Sequence, residues 1–552
     1  MDKRKVLIVL VAMVFFMPFL GKVHLFDWDE INFAEIAREM VVTGDYLRPQ
    51  IDYQLFTEKP PMFMWFQAAS MNIFGMNEYA SRFPNTIAGL ITLLLLYSAG
   101  SKLYNQKFGL LWTGAYFGSV LPHLYFRSGI IDPWFNLFIF LGLYNLILFY
   151  WKKENFPDFS FSKSKWMYLV LAGVFTGLGI MVKGPVAFLI IALVLGVYWI
   201  SKKFKFYINV AEFFIYTGVT LAIAVIWFGI VTLFYGPQFA IEFTIRQWEL
   251  FSQQDAGHGG FLGYHFVVLF VGVFPASIFM IRSMGKMPTG NQVQNDFKKW
   301  MLMLFWVVLI LFTIVSTKIV HYSSLAYFPM AYLAALVVYQ IHLGQIKFAL
   351  WMKILLAFIA IVFGTAVTIL PWLGMNTGIL KPLMAADQFA IANLDADVPW
   401  TGFESIAGLW FILIVIMGIR YMNKNEILKG AAWFFGGTGI FVFLTLTLVI
   451  NNIEAITQRA AIEFYETKVD CDCYVVSEEY KSYAQLFYTK IPPELNPKRH
   501  SKEWLKTGEI DKDVFFVAKI NGTQYLEKLD DVNFLYEKNG FTFWVRKAKK
   551  KK

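Results

Sequence analysis

The chain has 552 residues, of which 57% are hydrophobic and 16% are charged, and its apolar residues fall in long blocks. This composition excludes a soluble globular protein of the same size and indicates a polytopic membrane protein. The net charge of +10 comes largely from the loops between the apolar blocks, so it reflects membrane orientation and indicates no nucleic-acid partner.

The apolar blocks predict the transmembrane helices, with about 20 residues needed for one crossing. No small-residue cleavage site follows the first block, so we expect an uncleaved anchor and no removable signal peptide. The sequence predicts about thirteen spans, near residues 6–21, 86–104, 107–122, 131–151, 166–182, 185–200, 209–235, 263–283, 300–317, 322–341, 347–371, 405–421 and 431–451.

Lysine and arginine residues fall in every second loop of this arrangement. Lys3, Arg4 and Lys5 precede the first span, and Lys102 and Lys107 follow the second. Because short cytoplasmic loops carry the basic residues, the amino terminus is predicted to lie inside and the carboxy terminus outside. The apolar stretch 62–75 is short, and counting it as a span would invert every later loop. We therefore expect a helix in the outer membrane interface there.

The first outer loop, residues 24–85, carries a cluster of charge directly after the first span. Asp27, Asp29 and Glu30 come first, and Glu58 and Lys59 follow beside two prolines. Charge is costly at the membrane boundary, so this loop is the first candidate for a site that handles a polar substrate. Proline fixes the backbone, so the motif EKPP presents its two charged side chains rigidly.

Asp29 and Glu30 begin a stretch with apolar residues at helical spacing. Two interpretations stay open for these carboxylates. They could cap a helix and complement its dipole, or one could serve as the base that deprotonates an acceptor. Glu35, Arg38 and Glu39 are interpreted as the solvated face of the same helix.

Lysines near the outer ends of the spans suit an anionic headgroup, because an ammonium is a compact charge with three donors. The alternatives are a surface ion pair for Lys59 and snorkelling for Lys183 and Lys318. The remaining polar residues that we expect at the outer face are Asp132, which opens a span, together with Tyr264, His321 and Tyr322.

His258 lies among glycines in the string GHGG and is interpreted either as a loop residue or as a metal ligand. With Glu58 it could bind a divalent metal, although no paired histidine motif supports that site. The two cysteines, Cys471 and Cys473, fall in the outer part of the chain. Free thiols are the first expectation for them, because a disulfide across one intervening residue makes a strained ring; a disulfide and a metal pair are the alternatives.

The composition changes near residue 455, where charges return and short β-rich runs begin. The sequence predicts a transmembrane domain at residues 1–454 and a small soluble α/β domain at residues 455–552. The run NFLYEKNGFTFWV reads as a hairpin turned at Asn539-Gly540. This domain could simply cap the membrane part or could bind substrate.

Two motifs together resemble a known family. The run DWDEINFAEIAREMVVTGDYLRPQ and the run FTEKPPMFMWFQAASMNIFGMNEYASRFP are similar to the signature of the bacterial aminoarabinose (4-amino-4-deoxy-L-arabinose) lipid A transferases. These enzymes belong with the protein O-mannosyltransferases in the GT-C class of glycosyltransferases. Further similar strings are RSGIIDPWF, VKGP, DAGHGGFLGYHFVVLFVGVFP and STKIVHYSSLAYFP.

The resemblance implies a polytopic GT-C fold and a sugar donor linked through phosphate to a polyprenol. It implies a catalytic carboxylate at Asp29, with Asp132 as a second important carboxylate. It also implies that Glu58 and Lys59 line the cavity, and that His258 falls where the aminoarabinose transferases hold a metal. With the residue-based interpretation, the predicted catalytic residues are Asp29, Glu30 and Asp132. Those predicted to bind substrate are Asp27, Glu58, Lys59, Lys183, Tyr264, Lys318, His321 and Tyr322.

The predicted function is therefore transfer of a sugar from a polyprenyl-phosphate donor to a lipid A-like lipid, a glycan or a protein. The reaction needs a base for the acceptor and cations for the departing phosphate, so no cofactor is required and a divalent metal is optional. We expect a multi-pass protein of the inner membrane with its site on the extracytoplasmic side. The alternative is a transporter or flippase of lipid-linked sugars, which should show related halves and broken midplane helices.

Overall fold

The computed structural model describes residues 2–252, 259–493 and 496–549. The first half of the chain is helical apart from one short hairpin. Its elements are α1 (Lys3–Phe16), α2 (Asp29–Thr43), β1 (Gln50–Ile51), β2 (Gln54–Leu55), α3 (Met62–Phe74), α4 (Glu78–Leu103), α5 (Gln106–Phe117), α6 (Val120–Tyr125), α7 (Asp132–Lys153), α8 (Lys165–Lys183), α9 (Val186–Ser201), α10 (Val210–Tyr235) and α11 (Gln238–Ser252).

The second half continues the helical bundle and ends in a sheet. Its helices are α12 (Tyr264–Gly272), α13 (Ala276–Ser283), α14 (Gln292–Ile314), α15 (Tyr327–His342), α16 (Leu350–Met375), α17 (Gln388–Asn393), α18 (Ile406–Asn423), α19 (Ile427–Ala431), α20 (Gly437–Leu444), α21 (Ile450–Thr457), α22 (Arg459–Glu466), α23 (Ala484–Tyr488) and α24 (Lys502–Thr507). Its strands are β3 (Cys473–Glu478), β4 (Asp513–Lys519), β5 (Val532–Lys538) and β6 (Phe541–Arg546).

Nine helices within the described ranges are long and apolar enough to cross a membrane, and the bent pair α12 and α13 would make ten. The two members of that pair meet at 115°. A helix is present at each of the thirteen predicted positions, but α1, α5 and α9 are shorter than a full crossing. The polytopic helical fold is confirmed, whereas the count of thirteen spans is not.

The first outer loop folds into two helices and a hairpin. α2 packs against α3 and α23, and α3 packs on α4. α3 has 13 residues, fewer than one crossing needs, so this segment is not a further span. Pro61 precedes its first residue and fixes where it begins.

The carboxy-terminal region forms a four-stranded mixed sheet in the order β3, β4, β6, β5. β3 and β4 pair in parallel, and the other neighbours pair antiparallel. The predicted hairpin is present between β5 and β6, where Asn539 and Gly540 both have positive φ, as a tight two-residue turn requires. Trp544 and Phe516 are buried in a small core of this sheet.

The structure differs from the predicted domain limit at residue 454 and from the predicted state of the two cysteines. The continuous helical segment Ile427–Thr457 extends three residues past the predicted domain limit at residue 454, so the predicted boundary falls inside a helix. Cys471 and Cys473 form a disulfide, so the expectation of free thiols is wrong. The intervening residue leaves the two Cα atoms 5.3 Å apart, a usual separation for a disulfide.

Candidate active site

Asp29 is the first residue of α2, and its carboxylate is partly exposed. Its Oδ2 lies 3.3 Å from Nε2 of His321, and the two side chains are 31% and 18% exposed. Within the described ranges, the carboxylate of Asp29 caps no backbone amide. Asp29 therefore makes no capping hydrogen bond, but it lies in the first turn of α2, where a carboxylate complements the helix dipole, and it remains accessible to a substrate.

Four charged side chains surround His321. Asp29, Asp132, Lys59 and Lys183 all lie close enough to interact electrostatically with its imidazole. His321 lies in a 3-10 turn, Val320–Ala326, that leads into α15. The first outer loop, the ends of α7 and α8 and the turn after α14 thus bring polar residues near one another.

Asp132 and Lys183 form a buried ion pair. Nζ of Lys183 lies 2.6 Å from Oδ1 of Asp132, and the two side chains are 12% and 1% exposed. Lys183 also lies over the ring of Tyr322 at 5.2 Å. The second oxygen of Asp132, Oδ2, has no hydrogen-bond partner in the described part of the chain. The pair therefore keeps one free acceptor oxygen at the edge of the site.

Lys59 is a cation without a fixed partner at this site. No hydrogen bond or ion pair joins its ammonium to another described residue. Burial lowers the pKa of Lys59, and the charges of Lys183 and Arg246 act in the same direction, while those of Glu58 and Asp29 oppose them. A partly desolvated ammonium without a fixed partner is well suited to bind an anionic group.

The side chain of Glu58 contacts α11. Its Oε1 accepts a hydrogen bond from Nη2 of Arg246 at 3.0 Å, and its backbone oxygen accepts one from Gln247 at 3.2 Å. These contacts fasten the EKPP segment to α11 and hold Lys59 in place.

The predicted metal site needs Glu58 and His258, and His258 lies outside the described residues. The carboxylate of Glu58 is shared with the Arg246 guanidinium, whose positive charge opposes a cation there. No group of three or more histidine, cysteine, aspartate or glutamate residues that could hold a metal occurs in the described part. A metal at this position stays a prediction that the described residues do not support.

Glu30 was predicted as catalytic, and the structure corrects this prediction. Its two oxygens accept hydrogen bonds from Nε and Nη2 of Arg82 at 2.9 and 2.7 Å. They also accept the backbone amides of Gly129 at 2.6 Å and Phe26 at 3.0 Å. Burial opposes ionisation, but the Arg82 charge and these hydrogen bonds outweigh it and keep the pKa of Glu30 below its ordinary value. The carboxylate is fully engaged, so Glu30 positions the loop.

Arg82 extends this anchor to the segment between α1 and α2. Its guanidinium also donates to the carbonyl oxygens of Leu20, Val23 and His24, at 2.9, 2.7 and 3.0 Å. The residue lies in α4 and is buried. Sequence analysis missed its role, although Arg82 belongs to the string ASRFP of the second family motif.

Two residues predicted to bind substrate are engaged elsewhere. The ammonium of Lys318 donates to the carbonyl oxygens of Phe312, Thr313 and Val315 at 3.2, 2.7 and 2.5 Å, where α14 ends. It therefore caps a helix, because the last carbonyls of a helix lack partners of their own. Asp27 accepts a hydrogen bond from the hydroxyl of Ser482 and so ties the first outer loop to the carboxy-terminal region.

Tyr264 and Tyr322 lie near the carboxylates. Tyr264 is the first residue of α12. Tyr264, Asp29 and Asp132 all lie close enough to Tyr125 to interact electrostatically with its hydroxyl. Tyr125 is buried at the end of α6 and was not predicted from the sequence. Tyr322 follows His321 and lies under the ammonium of Lys183.

The interpretation of Glu35, Arg38 and Glu39 as a solvated face is wrong. All three side chains are buried, with 0%, 2% and 1% exposed. Arg38 forms two hydrogen bonds of 2.7 Å to Glu35 and donates to the carbonyl oxygen of Ile491 at 3.1 Å. The carboxy-terminal region covers this face of α2, a contact that local sequence periodicity does not reveal.

A family model and several curated proteins are similar to this chain. A family model described as dolichyl-phosphate-mannose-protein mannosyltransferase matches residues 58–230. Undecaprenyl phosphate-alpha-4-amino-4-deoxy-L-arabinose arabinosyl transferase of Pectobacterium carotovorum is 24% identical over 493 residues, covering 86% of this chain and 81% of the relative. The protein with the same name from Pectobacterium atrosepticum is 26% identical over 344 residues, or 60% of this chain and 58% of the relative.

The fold is that of solved ArnT structures. ArnT from Cupriavidus metallidurans bound to undecaprenyl phosphate has a TM-score of 0.75 at 17% identity, covering 98% of this chain and 97% of that protein. The apo form of the same protein has a TM-score of 0.77 at 16% identity, with the same coverage. These likenesses show that the chain has the fold of the solved ArnT structures, and the curated relatives bear out the predicted resemblance to the aminoarabinose transferases.

Proposed function

We propose that this chain, a GT-C membrane glycosyltransferase similar to the aminoarabinose transferases, moves a sugar from a polyprenyl-phosphate donor to a lipid acceptor of the lipid A type. The observation that carries the proposal is the presence, near each other, of an accessible carboxylate, Asp29, and a cation without a fixed partner among the described residues, Lys59. A base for the acceptor and a positive charge for the leaving phosphate are the two groups that this transfer needs.

The proposed reaction is a displacement at the anomeric carbon of the donor sugar. An acceptor oxygen forms the new bond to that carbon while the bond from the carbon to the donor phosphate oxygen breaks. The proton of the acceptor oxygen passes to Asp29, and the bond electrons stay with the polyprenyl phosphate, which leaves as an anion. His321, 3.3 Å from Asp29, orients the carboxylate toward the acceptor.

Lys59 is the proposed contact of the donor phosphate. Its ammonium lies close enough to Lys183 and Arg246 for their charges to act on it. Lys183 is already neutralised in part by Asp132, whereas Lys59 has three donors available. The buried pair of Asp132 and Lys183 is proposed to shape the site and to offer Oδ2 of Asp132 to a sugar hydroxyl.

The proposed location is the inner membrane, with the site and the carboxy-terminal region on the periplasmic side. The alternation of lysine-rich loops supports this orientation, because basic loops stay in the cytoplasm. A polyprenyl-linked donor and a lipid acceptor both remain in the bilayer, and the helices that carry the site end at one side of it. No cofactor is needed for the proposed step, since the phosphate leaves as a stabilised anion.

The rival function, transport of a lipid-linked sugar, has less support. The family model and the curated relatives describe transferases. A transporter would place its polar residues near the middle of the bilayer between related halves. In this chain, Asp29, Lys59, Asp132, Lys183 and His321 gather where helices begin or end.

The test is transfer by the purified protein in liposomes that contain undecaprenyl-phosphate aminoarabinose and lipid A. We expect mass spectrometry to show lipid A with one added aminoarabinose and an equal amount of released undecaprenyl phosphate. Liposomes with undecaprenyl phosphate that carries no sugar are the control. Movement of the intact donor across the bilayer without transfer would contradict the proposal and support the transporter.

A further inference from the structure

A polar cavity of about 710 Å³ lies between the first outer loop and the carboxy-terminal region. Asp52, in the turn between β1 and β2, forms one wall. Residues 475–483, at the end of β3, and part of α24 form the opposite wall. The cavity is separate from the cluster around Asp29, so the proposed transfer leaves its residues unassigned.

The cationic side chains of this cavity are not all neutralised by carboxylates. Arg499 is paired with Asp52 at 2.6 Å, and Lys506 is paired with Glu478. Lys502 is 57% exposed; it forms a long ion pair of 3.8 Å with Oε2 of Glu478 and donates to the carbonyl oxygen of Ser477 at 3.2 Å. Lys481 lies over the ring of Trp28 at 4.3 Å and forms no ion pair with a described residue. The charge of Lys481 is therefore available to an anion, and Lys502 is exposed and paired only at long range.

The cavity also contains acceptor oxygens without hydrogen-bond donors. Oε2 of Glu478 and Oε1 of Gln485 are buried, and neither accepts a hydrogen bond in the described part of the chain. Both residues line the cavity, and the side chain of Glu478 is 1% exposed. A buried acceptor without a donor is costly, so a ligand with a hydroxyl or amino group would satisfy Oε1 of Gln485, whereas Oε2 of Glu478 already has the Lys502 ammonium at 3.8 Å.

The cavity adjoins the proposed active site through the residues just before α2. The ring of Tyr483 lies 5.5 Å from that of Trp28, the neighbour of Asp29. Burial raises the pKa of Tyr483, and the negative charges of Glu58, Asp52 and Asp27 raise it further. The wall of the cavity therefore contacts the residue that precedes the carboxylate proposed to activate the acceptor.

We propose that this cavity binds the anionic saccharide headgroup of the acceptor, with Lys502 and Lys481 on its anionic group and with Glu478 and Gln485 on its hydroxyl or amino groups. This inference rests on the proposed transferase function and gives the carboxy-terminal region a role in acceptor recognition. The donor, in contrast, is held by Lys59 within the membrane-proximal cluster.

The first test is binding of glucosamine 1-phosphate to the full-length protein in detergent, measured by isothermal titration calorimetry. Glucosamine alone and inorganic phosphate are the comparison probes. We expect glucosamine 1-phosphate to bind more tightly than either, because it carries both the anion and the hydrogen-bond donors. Wild-type protein that binds all three equally, or none, would overturn the inference.

Two variants and one control locate the binding. Lys502→Ala removes a charged contact, and Gln485→Met removes an acceptor while keeping the shape of the side chain. We expect the Lys502 variant to bind glucosamine 1-phosphate about tenfold more weakly and the Gln485 variant to bind it less tightly than wild type. Lys538→Ala, on β5 and paired with Glu463, is the matched lysine control and should bind like wild type. Normal binding by both cavity variants would also overturn the inference.

A kinetic test links the cavity to transfer. With lipid A as acceptor, both cavity variants should show a raised KM for lipid A at unchanged kcat and unchanged KM for the donor. Transfer by wild type with no change in the variants would contradict the cavity inference and leave the transferase function standing. Binding that depends on Lys502, without any transfer by wild type, would support the cavity site and contradict the transferase function.

Discussion

Two charged regions lie side by side in the first outer loop, and they differ in how completely their charges are paired. Glu30 accepts four hydrogen bonds from Arg82 and two backbone amides, and Glu35 is paired with Arg38. Asp29 has one neighbour at 3.3 Å. Lys59 has no fixed partner among the described residues.

The difference separates structural charge from charge available to a ligand. A buried ion pair with all of its hydrogen bonds formed fixes the loop but has no capacity left for a substrate. Incompletely paired groups are costly unless a ligand completes them. Asp29 and Glu30 are adjacent in sequence, but the first side chain faces the site and the second faces Arg82.

The largest effect is expected from Glu30→Gln, which tests the fully paired charges of Glu30 and Arg82. The change leaves the Arg82 guanidinium buried without its counter-charge, which costs about 3 to 5 kcal/mol. We expect a strong decrease in thermal stability in detergent. Glu463→Gln, which breaks a half-exposed pair with Lys538, should cost about 1 kcal/mol or less. Equal stability of the two variants would remove the distinction between the regions.

Lys59→Ala tests the incompletely paired charges of Asp29 and Lys59. Loss of a charge-assisted contact to the donor phosphate should cost about 1.5 to 3 kcal/mol, or at least tenfold in kcat/KM for the donor. Thermal stability should stay near that of wild type, because no described residue depends on this ammonium. Lys318→Ala should do the reverse, with lower stability and normal donor use by the folded fraction. Unchanged donor kinetics in the Lys59 variant would remove this lysine from the site.

The buried carboxyl of Glu39 gives a smaller, pH-dependent effect. Burial, together with the neighbouring charge of Glu35, raises the pKa of Glu39 to about 9. The folded protein then holds a proton that the unfolded chain has lost, so stability should fall as pH rises from about 5 to 9. Between pH 6 and pH 7, the free energy of unfolding of wild type should therefore fall by about 1 kcal/mol more than that of Glu39→Gln. Parallel stability profiles of variant and wild type would show that Glu39 ionises normally.

Much of the fold could be predicted because it depends on local patterns. The apolar blocks indicate the helices, and the Asn539-Gly540 turn indicates the last hairpin, whose two positive φ angles the structure confirms. The motifs with Asp29, Lys59, Asp132, Lys183 and His321 indicate residues that the structure brings to one site.

The rest depends on contacts between distant segments. Glu30 pairs with Arg82, 52 residues away, and Arg38 reaches the backbone of Ile491 across 453 residues. Lys318 turns back onto the carbonyls that end α14, and no pattern distinguishes this contact from a ligand-binding orientation. Burial of Glu35 by a separate part of the chain is likewise invisible to helical periodicity.

Transfer by the Asp29→Asn variant tests the central claim most directly. Asparagine has nearly the same size as aspartate and caps helices about as well, but it cannot accept a proton as a base. We measure sugar transfer by purified protein in liposomes, with Asp27→Asn as the neighbouring control because Asp27 contacts Ser482. The account predicts a loss of about a hundredfold or more for Asp29→Asn at normal thermal stability, and a milder effect for the control. Near-normal transfer by Asp29→Asn would contradict the account.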